Sequence, residues 1–448
     1  MREERPEALM KAEDPLTDGA PHGAEAEFAH LRTAPGFTCT AEWTAAGVPF
    51  FLGVRDHVFS VYRGTGAVVH FDIEGRLRRA YLEDDRGPFD FLRGLDGRTI
   101  RKRKVRPGVQ ATGEPPLDGA GRHALFDRIH GIAAEALAGF PGPANPAGDL
   151  LRRAAAWDSG RLEAEAARFL EAYRPLGIMP PDRYRSLILQ ATEGCAYNGC
   201  IFCSLYEGER HGVKTAEAFR NHVCRVKGFL GRALALRSGV FLGEANALTA
   251  PQAVLKEFIR IVREELPAAL IDGGPTGGGE AGISSFIDAF TRQDKGAREF
   301  AELKDLGLRR VFLGVESGDA GILEFLRKPA SEEGVRALVG ALKEAGISVG
   351  AILLVGAGGR ASADRHVEGS AALIRSLPLD SGDLVYLSPL AIEPGGRYER
   401  EAARRGIEPL GPLEMEAQEA QLRRLLRPAP GRKGPLVARY DLRSFVYY

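Results

Sequence analysis

The chain has 448 residues, enough to bury a large core and to divide into two or more domains. Its apolar content of 44% and charged content of 27% are ordinary for a soluble globular protein, and 60 Lys plus Arg balance 60 Asp plus Glu. That balance excludes a global field toward nucleic acid or an anionic membrane, and no apolar run approaches the roughly 18 residues of a membrane span.

Residues 1–23 read as a mobile tail of mixed charge. Met1 to Asp18 has no apolar core and is not a secretory signal, so the expected compartment is the reducing cytoplasm. Residues 24–120 read as a small β-rich or α+β module. Val58–Tyr62 and Val68–Ile73 flank a Gly-containing turn and predict a hairpin; Glu74-Gly75 turns the chain again before Leu77–Leu82. Arg98, Arg101, Lys102, Arg103, Lys104 and Arg106 form a basic run, read as a solvated face or as a docking patch for RNA or an acidic partner. The run lacks interleaved aromatics, which weighs against single-strand binding. Residues 121–180 carry helical spacing and read as a helical connector. Leu125, Ile129 and Ile132 share one face; Leu162, Phe169, Leu170 and Tyr173 mark another, with Pro141-Gly142-Pro143 between them. Pro180-Pro181 marks the main boundary.

Residues 181–428 alternate short apolar runs with amphipathic stretches. The predicted strands are 186–190, 238–242, 283–290, 310–315, 348–355 and 383–387. The predicted helices are 216–231, 252–266, 297–305, 332–345 and 364–376, with a last one over 410–427. This order implies a parallel sheet covered by helices: an α/β fold, a partial (βα)6 barrel, beside the strand-rich N-terminal module. Residues 429–448 read as a C-terminal strand or cap. Gly273-Gly274 and Gly277–Gly279 make a lid or spacer before the third strand and lack the Lys-Ser/Thr ending of a phosphate loop. By analogy with closed barrels, a site belongs at the C-terminal strand ends.

The cysteines are the sharpest chemical signal. Of five in the chain, Cys195, Cys200 and Cys203 fall within nine residues, directly after the first barrel strand. Thiolates clustered this way suit a metal or an iron–sulfur cluster, and three ligands leave one position open. Cys39 and Cys224 are expected as buried small hydrophobes. Two further readings stand beside one in which that open position is used for chemistry. One is a structural zinc module using His211 or Cys224 as fourth ligand. The other is an electron-transfer iron–sulfur protein, which needs a fourth cysteine. His222, on a predicted helix, is expected to be structural.

Roughly residues 183–400 resemble the radical S-adenosylmethionine (SAM) superfamily. The likeness is to the branch with tRNA methylthiotransferases, Elongator-type tRNA-modifying enzymes and oxygen-independent coproporphyrinogen dehydrogenases. The three cysteines and Phe202 match its first motif, except that four residues, not three, separate Cys195 from Cys200. Phe241-Leu242-Gly243-Glu244 resembles its second, with Leu242 in place of a glycine. Val311 to Asp319, continuing through Ile322-Leu323 to Arg327-Lys328-Pro329, resembles this branch over a long stretch. Ala351 to Gly356 and Tyr386 to Leu390 complete the order. The resemblance implies a [4Fe-4S] cluster on Cys195, Cys200 and Cys203, with SAM chelating the fourth iron and cleaved to a 5′-deoxyadenosyl radical. It implies Gly243 and Glu244 at the SAM amine, Glu316 and Ser317 at the ribose, and Phe202, Ile352, Gly356 and Leu387 lining the cofactor. A one-electron donor such as flavodoxin or ferredoxin is implied as partner. The substrate stays open between small molecule, RNA and protein.

Overall fold

Alternating apolar and polar residues build the first half of the chain into a meander. The computed structural model describes residues 39–55, 58–103, 112–115, 117–141, 146–273, 281–291, 295–428, 431 and 433–448. The expected tail, Lys104, Arg106 and most of the glycine loop lie outside them. Strands β1 (Cys39–Ala45), β2 (Val48–Arg55), β3 (Val58–Arg63), β4 (Ala67–Asp72), β5 (Leu77–Asp84), β6 (Gly87–Arg93), β7 (Thr99–Arg103) and β8 (Thr112–Gly113) form one antiparallel sheet in sequence order. The expected hairpin is β3–β4, with Val61 opposite Val69.

Every second residue faces one core: Phe59, Val61, Val69, Phe71, Ala80 and Leu82. Residues expected as a connector supply α1 (Gly119–Ala138), α2 (Pro146–Ala155) and α3 (Ser159–Ala172), whose Phe126, Ile129, Leu151 and Leu162 join that same core. Asp118 and Asp158 cap α1 and α3 by accepting from Gly121 N and Arg161 N. Leu170 departs from the expected apolar face and is 54% exposed. The buried stripe of α3 runs through Leu162, Glu165, Phe169 and Ala172, and 170 falls outside that spacing. Glu165 is buried because it pairs with two buried arginines, Arg76 and Arg93.

Three described members of the basic run are paired locally. Arg101 and Arg103 pair with Asp84 and Glu114, and Arg101 stacks 4.1 Å over Phe89. Arg98 pairs with Asp96.

The second unit comprises 177–227 and 237–445, while 228–236 and 446–448 cluster with the first. Its strands β9 (Leu187–Gln190), β12 (Val240–Gly243), β13 (Ile283–Ile287), β14 (Leu308–Glu316), β15 (Ser348–Val355), β16 (Leu384–Pro389) and β17 (Leu436–Arg439) are parallel and neighbour one another in sequence order. Between the first two lies a small antiparallel pair, β10 (Thr192–Glu193) and β11 (Gly212–Val213). Helices α4 (Ala216–Leu230), α5 (Gln252–Glu265), α6 (Ala269–Asp272), α7 (Ala297–Asp305), α8 (Ala320–Phe325), α9 (Glu332–Glu344), α10 (Ala363–Ser376), α11 (Arg397–Arg405) and α12 (Pro412–Leu426) connect or follow the strands. The sheet is open, with β9 and β17 at its edges, so the fold is the expected partial barrel with one added strand.

One face carries an aromatic layer below the C-terminal strand ends. Phe241 meets Phe286, Phe286 meets Phe312, and Phe312 meets Tyr386, with centroids 5.1 to 6.4 Å apart. Gly350 makes room for it: a Cβ there would stand 2.6 Å from Phe312 Cε1. Among the described residues no helix is long and apolar enough to cross a membrane.

Candidate active site at the strand C-termini

The cysteine loop leaves β10 at Gly194 and returns through β11, closed by the pairs Thr192–Val213 and Glu193–Gly212. Asn198 takes a left-handed φ of +47°, and its N–H points at Cys195 Sγ, 3.4 Å away. Its side chain donates to Tyr206 O at 2.6 Å. The extra residue between Cys195 and Cys200 is thus absorbed in an Asn-Gly turn. From outside, Ile201 N–H donates to Leu326 O at 3.1 Å, and Arg397 on α11 donates to the carbonyls of Asn198 and Cys203 at 3.2 and 2.5 Å. Phe202 packs on a small apolar cluster that includes Ile201, Ile322, Phe325, Leu354 and Tyr398.

The three cysteines are free and partly buried. Burial pushes the Cys200 thiol up to about 12; Lys328 opposes, while Glu316, Cys203 and Cys195 add to the rise. Burial also raises Cys203. Thiolates here need cationic partners. Cys224 is exposed, against expectation, and its Sγ lies 3.8 Å from Glu265. The buried residues of α4 are Phe219, His222, Val223, Val226, Phe229 and Leu230, which leaves 224 on the outer face. His222 is structural in its contact: its Nε2 accepts from Gln190 N–H at 2.9 Å.

The carboxylates stand at neighbouring strand ends. Glu244 follows Gly243 at the end of β12; its N–H donates to Thr192 Oγ1 at 3.0 Å, and its carboxylate accepts from the Gln190 amide. Tyr206 is buried, and burial pushes its hydroxyl well above the usual range, with the charges of Glu244, Cys203 and Cys195 adding to the rise. Glu316 ends β14 with φ +59°, at a register shift against β15. Lys328 Nζ donates to Glu316 Oε1 at 2.9 Å, with the two side chains 8% and 9% exposed. Burial pushes the Lys328 ammonium down, but the Glu316 charge outweighs it and holds its pKa above the ordinary value.

Ser317 is buried and turned to α10: its Oγ pairs with His366 Nδ1 at 2.9 Å and accepts from Asp319 N–H at 3.0 Å. The cap of α8 is Asp319, which accepts from Ile322 N–H at 2.9 Å, so Glu316 does not cap that helix. Ile352 lies in register with Gly314 on one side and Tyr386 on the other. Gly356 has φ +90° and donates to Gln418 Oε1 at 2.7 Å. Leu387 is fully buried, and strand alternation puts it on the opposite face of β16 from Tyr386. The cysteines, Glu316 and Glu244 therefore come together; Leu387 does not face with Ile352 and Tyr386. Gln190, Tyr206, Lys328, His366 and Arg397 were not singled out by sequence reasoning. Only Lys328 had a signal, its place in the matched stretch after β14.

Residues 189–366 match the radical SAM superfamily. The chain carries a radical SAM domain. Members of that superfamily are enzymes that typically use a [4Fe-4S] cluster and SAM. Among solved structures it is similar to coproporphyrinogen III oxidase (HemN) from Escherichia coli, at 17% identity over 58% of this chain and 55% of that one, with a TM-score of 0.38. It is similar to the methyltransferase TsrM from Kitasatospora setae, at 16% identity over 59% and 58%, TM-score 0.40. It is also similar to Elp3 from Methanocaldococcus infernus, at 12% identity over 57% and 56%, TM-score 0.33. These matches span little more than half of each solved chain. No curated protein matches the chain.

Proposed function

We propose that Cys195, Cys200 and Cys203 hold a [4Fe-4S] cluster and that SAM binds beside it, between the ends of β12, β14 and β15. The observation that carries this reading is the set of three free thiols on one anchored loop, brought to the same sheet end as Glu244 and Glu316. A cluster held by these three thiolates would supply the one-electron reductive cleavage of the SAM sulfonium that makes hydrogen abstraction from a substrate possible.

The chain's residues bind and orient. Glu244 offers a carboxylate to the SAM ammonium through a charge-assisted bond. Glu316, fixed by Lys328, offers its second oxygen to ribose hydroxyls, while Ser317 holds the turn through His366. Ile352 and Gly356 lie where the adenine would pack, and the apolar cluster under Phe202 excludes water from the loop. Leu387 contributes from the far face of β16, as packing behind the strand. A small one-electron donor such as flavodoxin or ferredoxin would reduce the cluster. Free thiols and an oxygen-labile cluster suit the cytoplasm. The substrate is a small molecule, RNA or protein.

Anaerobically purified protein is expected to be brown, with about four iron and four sulfide per chain, and to form 5′-deoxyadenosine from SAM and dithionite. Cys200→Ala is expected to lose both colour and cleavage. Colourless protein with one zinc per chain would overturn the assignment.

A further inference from the structure

Lys328 and Glu316 form a pair whose cost the fold alone does not account for. Removing two charges from water costs several kcal/mol per ion, and an apolar pair of similar volume often gives equal stability. Here both side chains are under 10% exposed. The pair also requires an empty place beneath it: a Cβ on Gly314 would stand 2.9 Å from Lys328 Nζ and closer still to Glu316 Oε1.

Its position is tied to the cysteine loop. Leu326 O accepts from Ile201 N–H, and Arg327 O accepts from the Tyr197 hydroxyl, so the chain entering Lys328 is bonded on both sides of Cys200. Tyr197 meets Phe290 edge-on at 5.2 Å, and Lys328 Nζ lies 5.6 Å from the centre of the same ring. A fixed carboxylate and a fixed ammonium therefore sit beside the thiols, against an aromatic wall where charge is weakly screened.

We infer that Lys328 and Glu316 act in opposite directions on the reduction potential of the cluster on Cys195, Cys200 and Cys203, each offsetting the other, an inference that rests on the cluster assignment above. Reduction adds one negative charge to the cluster. A neighbouring cation stabilises the reduced state and a neighbouring anion opposes it, and cluster potentials follow local charge and exposure. Taken alone, each member should move the potential, in opposite directions; together they nearly cancel.

The test is a redox titration of the reconstituted full-length protein without SAM, followed by electron paramagnetic resonance. Glu316→Gln, which leaves the ammonium uncompensated, is expected to raise the midpoint potential. Lys328→Met is expected to lower it, and the double variant to return close to wild type. Lys328→Arg, which keeps the charge, is expected to hold the wild-type value. Single variants that shift in the same direction, or not at all, overturn the inference, as does a Lys328→Arg shift as large as that of Lys328→Met. If Lys328→Met loses its iron, the upward shift of Glu316→Gln and the constancy of Lys328→Arg decide the matter. A wild-type protein that takes up no cluster overturns the cluster assignment itself, which separates the two failures.

Discussion

At the scale of single residues, the site is decided by what lies under and behind the functional groups. Gly314 has no chemistry of its own, yet any side chain there strikes the ends of Glu316 and Lys328. The atoms it strikes are side-chain ends, so Gly314→Ala should move the pair rather than the backbone. The expected outcome is a melting temperature within a few degrees of wild type (about 1 kcal/mol or less) together with a large loss of 5′-deoxyadenosine formation. A variant that melts early and keeps cleavage would contradict this account. Glu316 in the left-handed region stores roughly 1–3 kcal/mol of backbone strain, as residues at functional turns often do.

At the scale of elements, α10 acts as a template for the turn after β14. His366 holds Ser317, Ser370 Oγ accepts from Gly318 N–H at 3.0 Å, and the backbones of Gly318 and Gly369 touch. A Cβ on Gly318 would stand 2.7 Å from Ser370 N and closer to the Gly369 carbonyl, with only backbone to give way. Gly318→Ala should therefore destabilise by about 1–3 kcal/mol or more, read as a lower midpoint in thermal unfolding followed by circular dichroism, in contrast to Gly314→Ala. The strands of this unit were legible because buried parallel strands are near-continuous apolar runs: Ser348–Val355 was placed to the residue, and α7 likewise. The short helices α8 and α11 were not. Six residues give α8 too few turns for periodicity to register, and α11 is so rich in charge that only Tyr398 and Ala402 mark an apolar face; it carries Arg397, whose grip on the cysteine loop spans nearly two hundred residues of sequence.

At the scale of the molecule, the first unit offers its own probe. Both tryptophans, Trp43 and Trp157, lie in it, so their fluorescence follows its unfolding alone. Glu165 is buried between Arg76 and Arg93. Replacing it with alanine leaves two guanidinium groups without that anion and should cost about 3–5 kcal/mol, seen as a lower urea midpoint. Burial also pushes His70 and His130 from 6.5 down to about 4 in the folded state. The unfolded chain takes up those protons first as pH falls, so stability is full above about 6.5 and lost between there and about 4. The slope is about 1.4 kcal/mol per pH unit for each histidine. A urea midpoint that stays flat between pH 7 and pH 5 would refute this.

Local pattern carried the order of strands and helices, the hairpin at β3–β4 and the cysteine trio, because periodicity and spacing are properties of neighbouring residues. The matches around Glu244 and Glu316 were legible for the same reason. Tertiary structure alone decided that Arg101 and Arg103 are neutralised by Asp84 and Glu114, that Asp319 and not Glu316 caps α8, and that Lys328 pairs with Glu316. Each of these depends on which charge lies within about 3 Å, the distance that makes a hydrogen-bonded ion pair, and the chain sets that distance only by folding.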